Sequence, residues 1–245
     1  DSKDNYMNPT KGSRVEMSVT FTGGYMLRGD DHFIKYSPEL YYYYSPFHLP
    51  FLKTHPCVFE LRGNANFIAP PMFRNQVQGF QDRQQNPWLE SEDRLYIGGP
   101  ETLRGWQYLD QELPSSWRYG LFHRILYGAE FRIPVHPQLL WFVMFFDAGS
   151  LWSDNFWEQT LEEDTIQRIN EDREDELLYG IDQIDEIDLM SYFKYSYGFG
   201  FKIQIPMMPL RFWFGKKLKW VGSEKGYFEE ISGYEFQFGI GDMRF

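Results

Sequence analysis

Long hydrophobic runs are missing from this chain. Its longest uninterrupted apolar stretch, Leu139 to Phe146, falls far short of the roughly twenty residues a transmembrane helix needs, which excludes a helical span. Cysteine is nearly absent: Cys57 is the only one in 245 residues, so no internal disulfide can staple the fold. Positive charge is outweighed, with 24 Lys and Arg against 35 Asp and Glu and a net charge of −11, and nothing in the pattern suggests nucleic-acid binding. The acidity is local. Residues 153 to 190 hold 14 acidic and two basic side chains, a charge of −12, which leaves the remainder at +1. The five histidines, His32, His48, His55, His123 and His136, include no pair with metal-ligand spacing, and no G-x-S-x-G occurs. The acidic segment lacks the tight-turn glycine of an EF-hand. These absences argue against a metal, a cofactor and an enzymatic site, including that of a membrane hydrolase.

Aromatics are plentiful instead. Phe, Tyr and Trp supply 20% of the residues while mean hydropathy is −0.52, too aromatic for a disordered tail and too polar for a helical bundle. A membrane wall that alternates apolar and polar residues averages out this way. The alternation is clearest at 192–205, where Phe193, Tyr195, Tyr197, Phe199, Phe201, Ile203 and Ile205 share one face. Tyr192, Lys194, Ser196, Gly198, Gly200, Lys202 and Gln204 share the other. Two lysines and two glycines do not suit the core of a β-sandwich, whereas a wet lumen accepts them.

The same periodicity predicts further strands at 14–27, 33–45, 57–68, 119–135, 139–152, 210–221 and 233–245. Connections alternate in length, with tight turns at 136–138 and 206–209 and long loops at 69–118 and 153–190, the rhythm of short periplasmic turns and long outer loops. On this reading both ends of the chain are periplasmic, and 222–232 is a third outer loop. Leu178, Ile181, Ile184 and Ile187 admit a short amphipathic helix over the barrel mouth, with a solvated loop as the alternative. The fold class is therefore an all-β, antiparallel transmembrane barrel of eight strands. Eight strands can close alone, but such a barrel is filled by its own side chains and leaves no room for a loop of this length.

One loop segment is more specific. GGPETLRGWQ at 98–107 resembles the (V/L)RG(F/Y/W) loop motif of the BamA family with its preceding glycine pair. DNYMNPTKGSRV at 4–15, GAEFRIPV at 128–135, FFDAGSLW at 145–152 and the final FQFGIGDMRF resemble other segments of that family, in its order and across nearly the whole chain. The resemblance implies that residues 1–245 are the C-terminal half of a sixteen-stranded barrel in the outer membrane of a diderm bacterium. It implies insertion of other β-barrels as the activity, with unfolded outer-membrane proteins, periplasmic POTRA domains, accessory lipoproteins and membrane lipid as partners, and no nucleic acid. A related translocation or two-partner secretion barrel and a passive porin are the alternatives.

The residue phases fit this resemblance. Glu130 and Asp147 fall on the inner faces of adjacent strands, and a loop folded inward could set Arg104 between them, its planar guanidinium bonding to either carboxylate. Leu103, Arg104, Gly105 and Trp106 are thus the candidate loop motif, with Gly105 turning the backbone and Trp106 packing on the wall. Gly233, Gly239, Gly241 and Phe245 mark a weak terminal strand that could open as a lateral seam, and a phase slip near Asp242 suggests a bulge there.

Overall fold

The computed structural model describes residues 1–5, 8–23, 33–50, 55–69, 92–114, 117–118, 120–136, 139–152, 189–205, 208–222 and 226–241. Nine strands make one antiparallel sheet: β1 (Gly12–Thr22), β2 (Phe33–Tyr44), β3 (Val58–Ala69), β4 (His123–His136), β5 (Leu140–Trp152), β6 (Lys194–Ile203), β7 (Leu210–Gly222), β8 (Tyr227–Glu230) and β9 (Glu235–Ile240). Each strand pairs with the next from β1 to β8, and β9 also pairs with β7, so the sheet is an open wall, part of a barrel. A backbone that crosses hydrocarbon must satisfy its own N–H and C=O groups, which these continuous ladders do.

The alternation read from the sequence separates two faces. On β3, Val58, Glu60, Arg62, Asn64, Asn66 and Ile68 are buried on the inner face, while Leu61 on the other face is exposed. On β5, Val143, Phe145 and Asp147 are buried, whereas Met144 and Phe146 are exposed. The buried set carries the polar side chains, with apolar ones among them, because it faces the lumen, and the exposed set is apolar because it faces lipid, unlike a soluble sandwich. Between wall and loop lies a core of Leu95, Ile97, Leu103 and Trp106 packed on Phe33, Ile68, Leu126 and Leu151. Toward the tight-turn end, Tyr41, Tyr43, Trp141, Val143, Phe145 and Trp213 form a second cluster.

The last third of the chain departs from the sequence reading. Residues 222–232 are not a single outer loop: Gly222 pairs with Tyr227 and Leu218 with Glu230, so β8 extends the wall. YFEE lies between glycine-bearing segments and has no alternation long enough to mark it as a strand. The terminal strand expected at 233–245 is Glu235–Ile240, and Phe245 and the expected slip near Asp242 fall outside or at the limit of the described residues. The irregularity that is described lies earlier. Between the pairs Leu218–Glu230 and Gly215–Glu235, four residues of this strand stand opposite two of β7, a bulge at 231–234. On the lipid side of it, Glu230 accepts hydrogen bonds from Lys216 and Tyr197. Tyr195, assigned to the outer face, is nonetheless buried, because Phe228 and Trp220 close over its ring. The strand predicted from 119 begins at His123, and the one predicted to 27 is described to Thr22. The candidate helix at 178–187 lies outside the described residues.

Candidate functional site

The loop motif is shaped by its glycines. Gly98 and Gly99 both adopt positive φ, at 113° and 87°, where a side chain would be strained. Thr102 closes the turn between them: its Oγ1 donates to the Gly98 carbonyl at 2.5 Å and accepts from the Gly98 N–H at 2.9 Å. The Gly99 N–H donates to the Trp106 carbonyl at 2.6 Å. The resulting knot presents Arg104 at its tip.

Arg104 is fully buried. Its Nε donates to Asp147 Oδ2 at 2.6 Å and its Nη2 to Asp147 Oδ1 at 2.7 Å, a two-pronged grip, while Nη1 donates to Glu130 Oε1 at 2.6 Å. The guanidinium carbon lies 3.9 Å from the centroid of Phe145 and 4.5 Å from that of Trp213, so its faces are covered by rings and its edge by carboxylates. Sequence reasoning missed Arg62. Its Nη1 and Nη2 donate to Glu130 Oε1 at 3.1 Å and Asp147 Oδ1 at 2.9 Å, which makes a neutral quartet of two arginines and two carboxylates. A lone arginine on a polar strand face gives no signal of such a role. Gly128 holds the space open, for a Cβ there would lie 2.3 Å from Arg62 Nε and 2.8 Å from Asp147 Oδ1.

A second set of contacts joins the motif to the end of the wall. Gly105 sits at φ 85° with its backbone against Gly215 of β7; a Cβ on Gly215 would lie 2.7 Å from the Gly105 Cα. Gln237 of β9 accepts from the Gly105 N–H at 3.0 Å and donates to the Trp106 carbonyl at 2.8 Å, as a neighbouring backbone would. Trp106, also fully buried, donates from Nε1 to the Tyr195 carbonyl at 2.9 Å. Gln107 donates to Glu235 at 3.1 Å. Lys217 reaches Asp110 at 2.7 Å. Burial acts to raise the Asp110 carboxyl, but the Lys217 ammonium and the backbone N–H groups of Glu112 and Gln107 outweigh it and hold the group below its ordinary value.

The structure thus brings Leu103, Arg104, Gly105, Trp106, Glu130 and Asp147 together and disperses the seam residues. Gly233 lies in the bulge with open space around it, Gly239 faces Pro100 of the loop, and Gly241 has φ 96° with its N–H donating to the Pro209 carbonyl at 2.9 Å. Gly215, Lys217 and Gln237 were not singled out in the sequence, since each matches an ordinary luminal position. Among the described residues, no three His, Cys, Asp or Glu side chains gather as metal ligands would.

Comparison with known proteins agrees with this geometry. No curated protein matches the chain. Among solved structures, BamA from Haemophilus ducreyi lacking POTRA domains 1–3 is similar in fold, with a TM-score of 0.56 at 18% identity. That match covers 97% of this chain and 40% of the other, so the chain spans less than half the length of the protein it resembles. The Omp85 superfamily domain matches residues 1–243. With an open antiparallel wall and an arginine-tipped loop seated against it, the chain belongs to the Omp85 superfamily of outer-membrane β-barrels.

Proposed function

We propose that the protein assembles and inserts β-barrel proteins into the outer membrane of a diderm bacterium, and that the terminal strand β9 is the lateral seam at which this happens. The observation that carries the reading is how β9 is held. It is six residues long, it has β7 as its strand neighbour, a bulge precedes it, and its inward grip is on a loop through Gln237. A strand held so lightly at its outer edge can part from the first strand of the complete barrel. The backbone groups exposed by parting are costly in hydrocarbon and are satisfied most simply by an incoming strand. Substrate strands would then be templated along 235–240, with their own folding as the energy source and no nucleotide hydrolysed. Unfolded outer-membrane proteins are the substrates on this reading, delivered through POTRA domains and accessory lipoproteins. The quartet around Arg104 keeps the loop inside the lumen while the seam moves, and the tight turns and both ends of the chain face the periplasm.

The test locks cysteines along 235–240 by disulfide to the first strand of the full-length barrel and measures insertion of a new barrel into vesicles. Insertion is expected to stop and to recover on reduction. Undiminished insertion by the locked protein would overturn the seam. A loss of secreted-protein transport instead of insertion would place the chain in the translocation or secretion branch.

A further inference from the structure

Among the described residues, the outer faces of β5–β9 carry two charges, Lys216 of β7 and Glu230 of β8. Lys216 Nζ and the Tyr197 hydroxyl, from β6, both donate to the Glu230 carboxylate. On the same face of β7, Phe212 and Phe214 lie toward the tight turn, and Leu218 and Trp220 toward the outer end. Lys216 stands six positions from Leu210, where β7 begins. For a strand tilted about 40° this is roughly 15 Å along the membrane normal, inside an apolar band about 25 Å tall. The pair is therefore set within the hydrocarbon and not at its rim. Lys216 Nζ also lies 5.0 Å from the centroid of the Tyr234 ring, and the Glu230 side chain remains 48% exposed. Neither charged group has another hydrogen-bond partner among the described residues.

Ionisable groups facing hydrocarbon are costly and call for polar company. An ammonium with three protons and a carboxylate with four acceptor positions can each take more bonds than this pair supplies. Acyl chains offer none. Lipid is also as apolar as the phenylalanines around the pair, so polar groups, and not apolar area, distinguish a protein neighbour from lipid on such a face. Pairing of the sheet edge with the first strand of the complete barrel leaves the face open, because ladder hydrogen bonds run in the plane of the sheet. A Lys–Glu pair is complementary to itself. A two-fold axis beside it sets each ammonium on the carboxylate of the other copy, and two pairs become a ring of four alternating charges, the symmetry of an isologous dimer. Tyr234 and Phe236, each more than half exposed, supply flat rigid surface next to the ring. We propose that this face docks a second copy of the protein about a two-fold axis, with Lys216 of each copy on Glu230 of the other. The inference rests on the outward face meeting lipid and does not depend on the seam.

Donor-labelled and acceptor-labelled copies of the full-length protein would be reconstituted in phosphatidylcholine vesicles at falling protein density, with energy transfer reporting association. Wild type is expected to self-associate reversibly. Lys216→Glu and Glu230→Lys, each alone, should weaken self-association about tenfold or more, the loss expected for one charged hydrogen bond. Mixed together, the two variants should pair with each other, since each supplies the charge that the other copy lacks. A pair that only fastens β8 to β7 within one chain gives no such rescue. If either reversal does not fold, Lys216→Met combined with Glu230→Gln carries the test: folded and monomeric supports the interface, folded and as associated as wild type overturns it. Lys219→Gln, on the inner face, should change nothing. Monomers at every density with lipid covering the pair, association insensitive to the charge variants, or single-variant losses without rescue in the mixture would each overturn the proposal.

Discussion

The loop motif is fastened to two regions of the wall by different chemistry. Toward β4 and β5 the fastening is ionic, with every donor of Arg104 that forms a bond aimed at Glu130 or Asp147 and Arg62 sharing both carboxylates. Toward β7 and β9, residues 105 and 106 are held by neutral groups, two amide hydrogen bonds to Gln237 and a glycine-on-glycine contact, while the Lys217–Asp110 ion pair lies farther along the loop. A buried ion pair cannot be half opened, because parting leaves uncompensated charge. Amide bonds can be exchanged one at a time for water or for another strand at little net cost. The comparison teaches that the LRGW segment is held to one side of the lumen by charge and to the side of the proposed seam by exchangeable amide bonds, with the Lys217–Asp110 pair as the ionic tie on that second side.

Breaking the ionic side should have the largest effect. Arg104→Ala leaves two carboxylates facing one arginine and is expected to destabilise the barrel by roughly 3–5 kcal/mol, with the loop becoming protease-sensitive. Arg104→Lys should do less harm, since the charge stays and only the fork is lost. Denaturant midpoints and limited proteolysis check both; a loop in Arg104→Ala as resistant as wild type would show that the quartet anchors nothing.

The closest approach on the other side is next. Gly215→Ala places a methyl group 2.7 Å from the Gly105 Cα, backbone against backbone, and should cost about 1–3 kcal/mol as an overpacked contact. The same substitution at Gly239, whose nearest neighbour would be Pro100 at 3.7 Å, should be close to silent in the same unfolding assay. Equal effects at the two glycines would mean that the Gly105 contact is not special.

These residues also show what the sequence revealed and what it hid. Alternation exposed the strands and put Glu130 and Asp147 on the inner face, because one wet and one oily face write a period of two directly into the chain. The LRGW segment was legible through its glycines and its likeness to a known loop. Arg62 and Gln237 were not, because their partners lie 68 and 132 positions away and nothing local distinguishes them from other luminal polar residues. β8 was hidden because four residues are too few to display a period, and alternation put Tyr195 on the outer face but could not show its burial, because its cover comes from outer-face neighbours on other strands.

Sharper still is the neutral clamp itself. Gln237→Ala strands the Gly105 N–H, leaves the Trp106 carbonyl with the Gly99 N–H alone, and is expected to cost ~1–3 kcal/mol, less than loss of Arg104, while raising solvent access to cysteines placed in β9. Gln237→Glu can still accept from Gly105 but sets a buried carboxylate against the Trp106 carbonyl, so it should cost at least as much as Gln237→Ala. If cysteine labelling of β9 is unchanged in Gln237→Ala, the clamp does not restrain the terminal strand.

The smallest expected effect is a pH dependence. The Asp110 carboxyl is held below its ordinary value in the folded protein, so its contribution is complete above the unfolded value and fades as pH falls through the folded one. Loop protection should therefore weaken in acid, and Asp110→Asn should flatten that part of the profile. Parallel acid profiles for wild type and variant would leave Asp110 without a part in holding the loop.

The complete burial of Arg104 also constrains the order in which the molecule can be made. The partner of this side chain on β5 lies 43 positions downstream, and the clamp on β9 reaches Gly105 from 132 positions downstream. Contacts of such long separation form slowly, so seating of the loop is expected to lag behind formation of the strands, and protease protection of the loop should be late to appear as the protein folds.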